Sequence, residues 1–450
     1  MKTLQKTIEW LFYIFIFLLP WQTRWIYKVV NYKNEFSEYQ SQSLYGTEIL
    51  LIVLFALTII FYIKKISSKQ IFQKLNQKKF FYFAALIAII AALIILNIVF
   101  SANAGTSFYK VLTLIEGFAL AIFIIFYPYN FKKFSWAFIG AGLIQSIYAI
   151  NQFFNQKIIA NKWLGMAAQD PEILGTSVIE TASGRFLRAY GALPHPNILA
   201  GFLVICLLFI VYQYLTETNK KKINIILTSF IITFTALFMT FSRSAWLAMF
   251  VSMIFIIIMA GIKKDLWKKY KLPINKIIIT ILFIAIAFSL VKSDLIFTRI
   301  QIEDRLEIKS MTERLTGYKD AWQIFKNNIF LGTGLGNYTI ALAELRPDWE
   351  VWDLQPVHNG LFLSIIEMGI ILSIMLLGFI ILICRYLIKL LKGKWFNMDI
   401  IFSISIILSL FIICLLDHFL WSFYFGIMLL AFSALILRFT LRPPSSPRGN

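Results

Sequence analysis

Long apolar segments separated by short polar stretches dominate the chain. Runs such as 81–100 and 277–291 approach or reach the roughly 20 residues that a helix needs to cross about 30 Å of hydrocarbon. Backbone polar groups in lipid must pair within the segment, so these runs are expected to be α-helices. About twelve spans are predicted, near residues 7–27, 46–63, 80–100, 108–127, 134–153, 196–215, 223–241, 244–262, 275–292, 358–384, 399–416 and 421–439.

The first apolar segment is expected to be a retained membrane anchor. Lys2 and Lys6 precede it, as in a signal peptide, but a small-residue cleavage site does not follow. The chain continues instead through Pro20, Trp21 and Trp25, a composition typical of the membrane interface.

Composition supports the same class. Hydrophobic residues make up 59% of the chain and charged residues only 15%, and mean hydropathy is +0.75, which excludes an ordinary soluble domain. Cys206, Cys384 and Cys414 fall inside apolar spans, so a disulfide framework or thiolate metal site is not expected. The sequence therefore predicts an all-α fold, a polytopic membrane helix bundle embedded in the lipid bilayer.

The basic residues orient this bundle. If the N-terminus is cytoplasmic, alternate loops and both ends hold 26 of the 43 Lys and Arg residues against four acidic residues, whereas the opposite side holds 17 of each. This asymmetry predicts that both termini are cytoplasmic. The formal charge of +20 is thus an insertion signal, and no nucleic acid partner is expected. The tail 441–450 is expected to be disordered.

Two outer loops, about 154–195 and 293–357, are long enough to hold structure. In the second, Ser310 and Glu313 have the spacing of a capping box at a helix start. Four apolar side chains then follow at helical spacing: Leu315, Tyr318, Trp322 and Phe325. We expect a helix that lies along the membrane surface and covers the bundle.

A glycine-rich segment, 331–337, follows this predicted helix. Its spacing does not fit a dinucleotide fingerprint, because Asn337 stands where glycine is required, and the Lys-Ser/Thr pair of a phosphate-binding P-loop is absent. Glycine is instead expected to let the backbone turn sharply and pack closely against a neighbour.

All three histidines of the chain fall on the outer face of the predicted topology. His358, followed by Asn359, stands at the start of a long span, where it can be a general base or a helix cap, and position alone leaves both open. His195 precedes Pro196 and favours the capping role. The adjacent Asp417 and His418 favour a helix-start role as well.

Arginines approach the same face. Arg243 lies in a very tight outer turn, so it must meet an anion or a carboxylate near the bundle. Arg185, Arg188 and Arg314 lie in the outer loops, and the planar guanidinium suits phosphate oxygens. For Arg185 and Arg188, ion pairing with outer acidic residues explains the position at least as well. Glu116 and Glu367, both within spans, are expected to pair inside the bundle.

These residues resemble the O-antigen ligase and O-antigen polymerase superfamily of bacterial envelope glycosyltransferases. The resemblance is best over about 186–430 and depends on segments in a characteristic order: Pro194–Ala200, Phe241–Ala245, Arg314 with Trp322, Gly332–Gly336, His358–Leu363 with Glu367 and Gly369, and Asp417–Trp421. It divides the chain into N-terminal helices with the first outer loop (1–185), a ligase-related membrane domain (186–440, including the loop 293–357) and the tail (441–450).

The resemblance implies a GT-C-like, metal-independent glycosyltransferase of the bacterial inner membrane that needs no cofactor. Such enzymes take a glycan from an undecaprenyl diphosphate carrier on the outer side and attach it to a hydroxyl of a glycan, a lipid or a protein. Carried over by motif, His358 is the base, and Arg243 and Arg314, with Arg188 as a weaker candidate, bind the diphosphate. The remaining substrate-binding residues are His195, Asn359 and His418.

A ligase is the first choice within the family, followed by a repeat-unit polymerase and then a protein O-glycosyltransferase. A secondary transporter with an anion site is the alternative from another class, although the chain shows no convincing internal repeat. Glu303 and Asp304 leave an acidic metal site in the outer loop open.

Overall fold

The computed structural model describes residues 1–65, 77–181, 184–301, 305–391 and 397–441. Its α-helices are α1 (Lys2–Leu18), α2 (Gly46–Lys65), α3 (Gln77–Val99), α4 (Ala104–Phe126), α5 (Phe131–Asn155), α6 (Pro196–Thr216), α7 (Lys220–Met239), α8 (Arg243–Ile262), α9 (Lys264–Val291), α10 (Ser293–Gln301), α11 (Arg305–Asn327), α12 (Tyr338–Leu345), α13 (Gly360–Leu391), α14 (Met398–Leu416), α15 (Phe419–Ser422), α16 (Tyr424–Leu430) and α17 (Leu435–Leu441). Short strands are β1 (Arg24–Lys28), β2 (Asn31–Tyr32), β3 (Glu35–Phe36), β4 (Gln42–Tyr45), β5 (Val178–Thr181) and β6 (Gly184–Leu187).

The helical, polytopic membrane bundle predicted from hydropathy is confirmed. Within the described ranges, ten helical segments are long and apolar enough to cross a membrane. This is fewer than the twelve expected, because α1 has 17 residues and the described apolar part of α3, Leu86–Val99, is shorter still. The predicted tail beyond Leu441 and the acidic pair Glu303 and Asp304 lie outside the described residues.

Helix α6 forms the centre of the bundle. All side chains from Ile198 to Val211 are buried, and the helix packs against α5, α7, α8 and α14. Apolar side chains cover every face of α6, so the helix has no polar face, as expected for an interior helix. Its N-terminal residue is therefore held rigidly where the bundle opens, and that residue follows His195.

The first apolar segment ends earlier than predicted. Helix α1 stops at Leu18, shortly before Pro20, which has no backbone N–H to continue the hydrogen bonds of the helix. The chain then forms β1, which pairs antiparallel with β4, so the expected span 7–27 is wrong beyond Leu18. Two further hairpins, β2–β3 and β5–β6, add minor strand structure outside the spans. Arg24 clamps the first hairpin through hydrogen bonds of 2.6 and 2.8 Å to Glu38.

Two other span boundaries also differ from the prediction. Helix α9 begins at Lys264 and continues through Pro273, so the basic segment expected to be a loop is helical. The last span is divided into α15, α16, a 3-10 turn (Ala431–Ala434) and α17. Between α15 and α16 the chain doubles back so tightly that a Cβ at Gly426 would lie 2.0 Å from the Phe419 carbonyl oxygen.

Helix α11 carries the predicted helix of the outer loop, but with a different start and a different buried face. It begins at Arg305, so the expected capping box at Ser310 is wrong; Glu313 instead lies 3.5 Å from Lys309, one turn earlier. Leu315 and Trp322, expected on the packed face, are 61% and 53% exposed. Its orientation along the membrane stays a prediction.

The buried face of α11 consists of Asp320, Ala321 and Ile324. Asp320 is drawn inward by Arg346, whose guanidinium donates hydrogen bonds of 2.7 and 3.2 Å to its two carboxylate oxygens. A hydropathy pattern overlooks a face of this kind, because it assigns a charged residue to water.

Helix α13 has a break at Gly369, and the glycine-rich segment 331–337 packs against this break. Gly369 adopts φ +73°, and a Cβ there would lie 2.3 Å from the Phe330 carbonyl oxygen. The loop repairs the break, because the backbone N–H groups of Thr333 and Gly334 donate to carbonyls on the helix and Asn97 donates to the Glu367 carbonyl at 2.9 Å. The expected role of the glycines, a sharp turn and close packing, is confirmed.

Glu367, one of the two carboxylates within the spans, has partners inside the bundle, as predicted. It accepts a hydrogen bond of 2.7 Å from the Trp421 indole and has Lys110 as a favourable charged neighbour. Glu116 lies near another carboxylate, Glu48 at the start of α2, and its Oε2 atom is buried without a hydrogen-bond partner among the described residues, so its pairing stays a prediction.

The proposed division of the chain at 185/186 falls inside strand β6. The largest hydrophobic core contains residues from both sides of this boundary, including Phe12 and Phe138 on one side and Phe209 on the other. The two segments therefore share one core, and the division stays a prediction about relatedness.

Candidate functional site

Three separate elements bring the histidines together at one end of the bundle. His195 is the residue before α6, His358 precedes α13, and His418 lies in the turn after α14. The rings of His358 and His418 have centroids 5.5 Å apart. All three histidines line a cavity of about 500 Å³, which we call the histidine cavity.

Asp417 lies in the middle of this histidine cluster and is 5% exposed. One carboxylate oxygen accepts the backbone N–H of His418 at 2.8 Å, and the other accepts the Asn197 side-chain amide at 2.9 Å. Reasoning from sequence gave this carboxylate only a helix-start role. The available signal was an acidic residue directly beside a histidine in a turn between two spans.

Burial sets the protonation of the cluster. Burial lowers the pKa of all three imidazoles; the Asp417 carboxylate opposes this shift at each of them but does not reverse it. For Asp417 itself, burial opposes ionisation, but attraction to the imidazoles in their protonated form and the Asn197 hydrogen bond outweigh it and lower the pKa. At neutral pH, the cluster therefore holds neutral imidazoles around an ionised carboxylate.

His195 has the capping role favoured by the sequence. Its Nδ1 accepts the backbone N–H of Asn197 at 3.1 Å, so this nitrogen carries no proton. His418 is held through its own Nδ1, which lies 2.7 Å from the Ser422 hydroxyl. These contacts hold both rings in place on the cavity wall.

A second cavity, of about 620 Å³, adjoins the first; we call it the arginine cavity. Five arginines line it: Arg185, Arg188, Arg243, Arg305 and Arg314. Arg243 is the first residue of α8, where the positive end of the helix dipole adds to its charge. Its very tight turn between α7 and α8 is present as predicted.

The arginines of this cavity differ in how they are held. Arg188 is 5% exposed and donates to the Thr240 carbonyl, the Ser177 hydroxyl and the Asn197 amide oxygen at 2.7–2.8 Å. By contrast, the Nε atoms of Arg185 and Arg314 are buried and have no hydrogen-bond partner among the described residues. A buried, unsatisfied charged donor is costly, so these two atoms are suited to an anion.

Asn197 joins the two cavities. Its amide oxygen accepts from Arg188, and its amide nitrogen donates to Asp417. Sequence reasoning included Asn197 in a motif but gave it no role. Its signal is weak, because an asparagine after a proline at a helix start is normally only a turn residue.

His358 lies where the cavities meet. It lines the histidine cavity, the arginine cavity and a third, smaller cavity of about 320 Å³. Asn359 caps α13 by accepting the Phe362 backbone N–H at 2.9 Å, and its expected role in substrate binding stays a prediction. Asn359, and not His358, therefore performs the capping function that the sequence left open between base and cap.

The central part of the chain is similar to a known protein family. Residues 228–377, a third of the sequence, match the family model described as O-Antigen ligase. This segment includes Arg243, Arg314 and His358, and its match confirms the resemblance to the O-antigen ligase superfamily. A search of curated proteins finds no match to the chain. The family implies a glycosyltransferase-like activity with lipid-linked glycans in a multi-pass membrane protein.

Proposed function

We propose that this O-antigen ligase-type membrane protein transfers a glycan from an undecaprenyl diphosphate carrier to an acceptor hydroxyl on the outer face of the bacterial inner membrane. The observation that carries the proposal is the position of His358 on the shared wall of the histidine and arginine cavities. A base there reaches an acceptor in one cavity while the leaving group occupies the other.

The arginine cavity suits the diphosphate of the carrier. As the bond between the anomeric carbon and the diphosphate oxygen breaks, negative charge grows on the departing oxygen. Guanidinium groups already in position stabilise that charge without reorganising. Arg243 and Arg314 supply these guanidinium groups from two different helices, α8 and α11, and Arg188 supports the cavity wall.

The histidine cavity suits the attacking hydroxyl. Burial keeps the imidazole of His358 neutral at physiological pH, so it accepts the proton of the acceptor hydroxyl as the new glycosidic bond forms. The nearby Asp417 carboxylate stabilises the imidazolium that results. Because the diphosphate is already an activated leaving group, the reaction needs no nucleotide or other cofactor.

The outer-face assignment derives from the charge pattern. The basic loops and ends that mark the cytoplasmic side lie at the opposite ends of the spans from His195, Arg243 and His358. In the proposed orientation, both cavities therefore lie on the outer side of the membrane, where the lipid-linked glycan is bound.

Reconstitution in proteoliposomes tests the proposal. Purified protein is supplied with undecaprenyl diphosphate-linked glycan and with glycan, lipid or protein acceptors one at a time. We expect covalent transfer, and we expect His358→Ala and Arg243→Ala each to insert normally and to reduce transfer by about 10²–10⁴-fold. Trp163→Ala, which removes a 75% exposed outer side chain, serves as the control and should transfer normally.

The products distinguish the possible outcomes. A single added glycan indicates a ligase, and a ladder of repeats indicates a polymerase. Normal transfer by both site variants contradicts the mechanism, and movement of glycan across the bilayer without a covalent product contradicts the enzyme itself.

A further inference from the structure

The third cavity on which His358 lies has its own chemistry. It lies between α11 and the loop 346–357 and has a volume of about 320 Å³. We propose that this cavity, called here the tryptophan cavity, is a saccharide subsite that holds one sugar ring of a glycan beside the bond being formed. The inference is based on the proposed function, since it assumes that the bond is glycosidic.

Two indole rings give the cavity its apolar surface. Trp349 and Trp352 line it, and Trp352 is 59% exposed to solvent. A sugar ring presents C–H groups on its faces and hydroxyls around its edge, so a flat aromatic ring covers the faces and leaves the hydroxyls for polar partners.

Polar side chains are available at the edge of the same cavity. Glu313, Asp353 and Gln355 line it beside the tryptophans. Carboxylate oxygens accept hydrogen bonds from hydroxyls, and an amide both donates and accepts, so neighbouring hydroxyls of one ring find complementary partners. The cavity thus combines two indole rings with polar side chains, which matches a sugar ring that has apolar faces and a hydroxyl edge.

The loop 346–357, which carries both tryptophans, is held in place by contacts with other parts of the chain. Lys33, in the turn of the β2–β3 hairpin, donates a hydrogen bond of 2.9 Å to the Trp349 carbonyl. The Arg346 guanidinium lies 5.5 Å from the centre of the Trp349 ring, and Arg346 is itself fixed to Asp320 on α11. Binding therefore does not require this loop to become ordered, which favours affinity.

Gly317 leaves room in the cavity wall. It lies in the interior of α11, where glycine is less favourable than alanine. A Cβ at this position would meet nothing within 4 Å, so neither close packing nor an unusual backbone conformation requires glycine there. Gly317 lines the tryptophan cavity, so we expect a larger side chain at this position to reduce its volume.

The sugar ring can come from either glycan of the reaction. The tryptophan cavity shares Gln355 with the histidine cavity, and it shares Glu313 and Arg314 with the arginine cavity. A ring bound there is adjacent to both the proposed acceptor side and the proposed donor side. Kinetics with each substrate varied in turn separates the two sources.

A series of substitutions at Gly317 tests the subsite. In proteoliposomes, Gly317→Ala, Gly317→Leu and Gly317→Phe should raise the KM of one substrate progressively, reaching about tenfold for Phe, with a smaller change in kcat. Trp352→Ala should raise the same KM. The matched control is Gly378→Phe, because Gly378 is also within a helix and also has nothing within 4 Å of a Cβ.

The substrate whose KM rises identifies the source of the ring. If wild-type protein transfers glycan and neither KM changes in Gly317→Phe or Trp352→Ala, the subsite is refuted and the proposed function stands.

A binding measurement makes the inference independent of transfer. Oligosaccharide is released by mild acid from the envelope glycolipids of the organism that encodes this protein. It is then titrated calorimetrically into the protein in nanodiscs. We expect binding to wild type and about a tenfold higher Kd in Gly317→Phe and Trp352→Ala, with Gly378→Phe unchanged. Binding without transfer would refute the proposed function and support the saccharide site, whereas no binding, or equal Kd in all variants, would refute the site.

Discussion

The histidine cavity and the arginine cavity share a wall but are built in opposite ways. In the histidine cavity, several polar side chains have hydrogen-bond partners: Asp417 accepts from the Asn197 side chain, His195 accepts from the Asn197 backbone N–H, and His418 pairs with Ser422. In the arginine cavity, several cations face one void, and the Nε atoms of Arg185 and Arg314 lack partners among the described residues.

This difference indicates a division of labour. The hydrogen bonds of the histidine cavity hold His195, Asp417 and His418 in place, and Asp417 favours the protonated form of the neighbouring His358. A group of cations that is not fully satisfied gains most when an anion arrives. Asn197 connects the two because it bonds to Arg188 with one end of its amide and to Asp417 with the other.

The strongest test of the comparison removes the charge at the centre of the histidine cavity. Asp417→Asn keeps the size of the side chain but no longer stabilises the His358 imidazolium, so transfer should fall by about 10²–10⁴-fold. Because the Asp417 carboxylate raises the pKa of His358, its loss lowers that pKa further, and the acidic limb of the pH–rate profile should move to lower pH. Residual activity with an unshifted limb would show that Asp417 is structural only.

The next test compares two arginines on the other side of the wall. Arg188→Ala leaves one buried and two partly buried oxygens without their donor, so it should lower the free energy of unfolding by about 2–4 kcal/mol. Arg314→Ala removes a half-buried side chain and should leave stability unchanged while transfer falls by about 10²-fold. Thermal unfolding in nanodiscs together with transfer assays measures both, and equal stability losses would remove the distinction.

The pH dependence of wild-type transfer provides a smaller effect. Burial lowers the pKa of His358, so the base stays neutral in mildly acidic solution and loses activity only as pH falls through the lowered value. The acidic limb should therefore lie below about 6.5, the ordinary value for histidine. A midpoint at or above 6.5 that disappears in His358→Gln would contradict the burial argument.

The smallest effect concerns Asn359. Because its side chain caps α13, Asn359→Ala should cost about 1 kcal/mol of stability. The KM values of both substrates should stay unchanged, and Asn359→Ser, another good cap, should restore stability. A raised KM in both variants would instead support the substrate-binding role predicted for Asn359.

Much of this site was accessible from local patterns. The capping position of His195, the tight turn at Arg243 and the turn-forming role of the glycines near Gly332 each depend on a few consecutive residues. Such features are encoded locally, because caps and turns satisfy backbone groups with nearby atoms.

Other features depended on partners far along the chain. Asp320 turns inward on α11 because of Arg346, which a hydropathy pattern does not record. Asp417 belongs to the histidine cluster because α6 carries Asn197 to within hydrogen-bonding distance, 220 positions away. The first hairpin forms because β1 pairs with β4. The apolar pattern alone predicted that the first span continues through β1.

By itself, the amino-acid sequence determined that this protein is a helical membrane bundle and which few ionisable residues lie at the ends of its spans. The reason is that the free-energy cost of burial in lipid depends on the type of each residue. Tertiary structure alone decided that His358 adjoins three cavities and that neutral imidazoles surround an ionised Asp417. Those properties depend on distances between different helices and on shared burial, and packing of the whole bundle sets both.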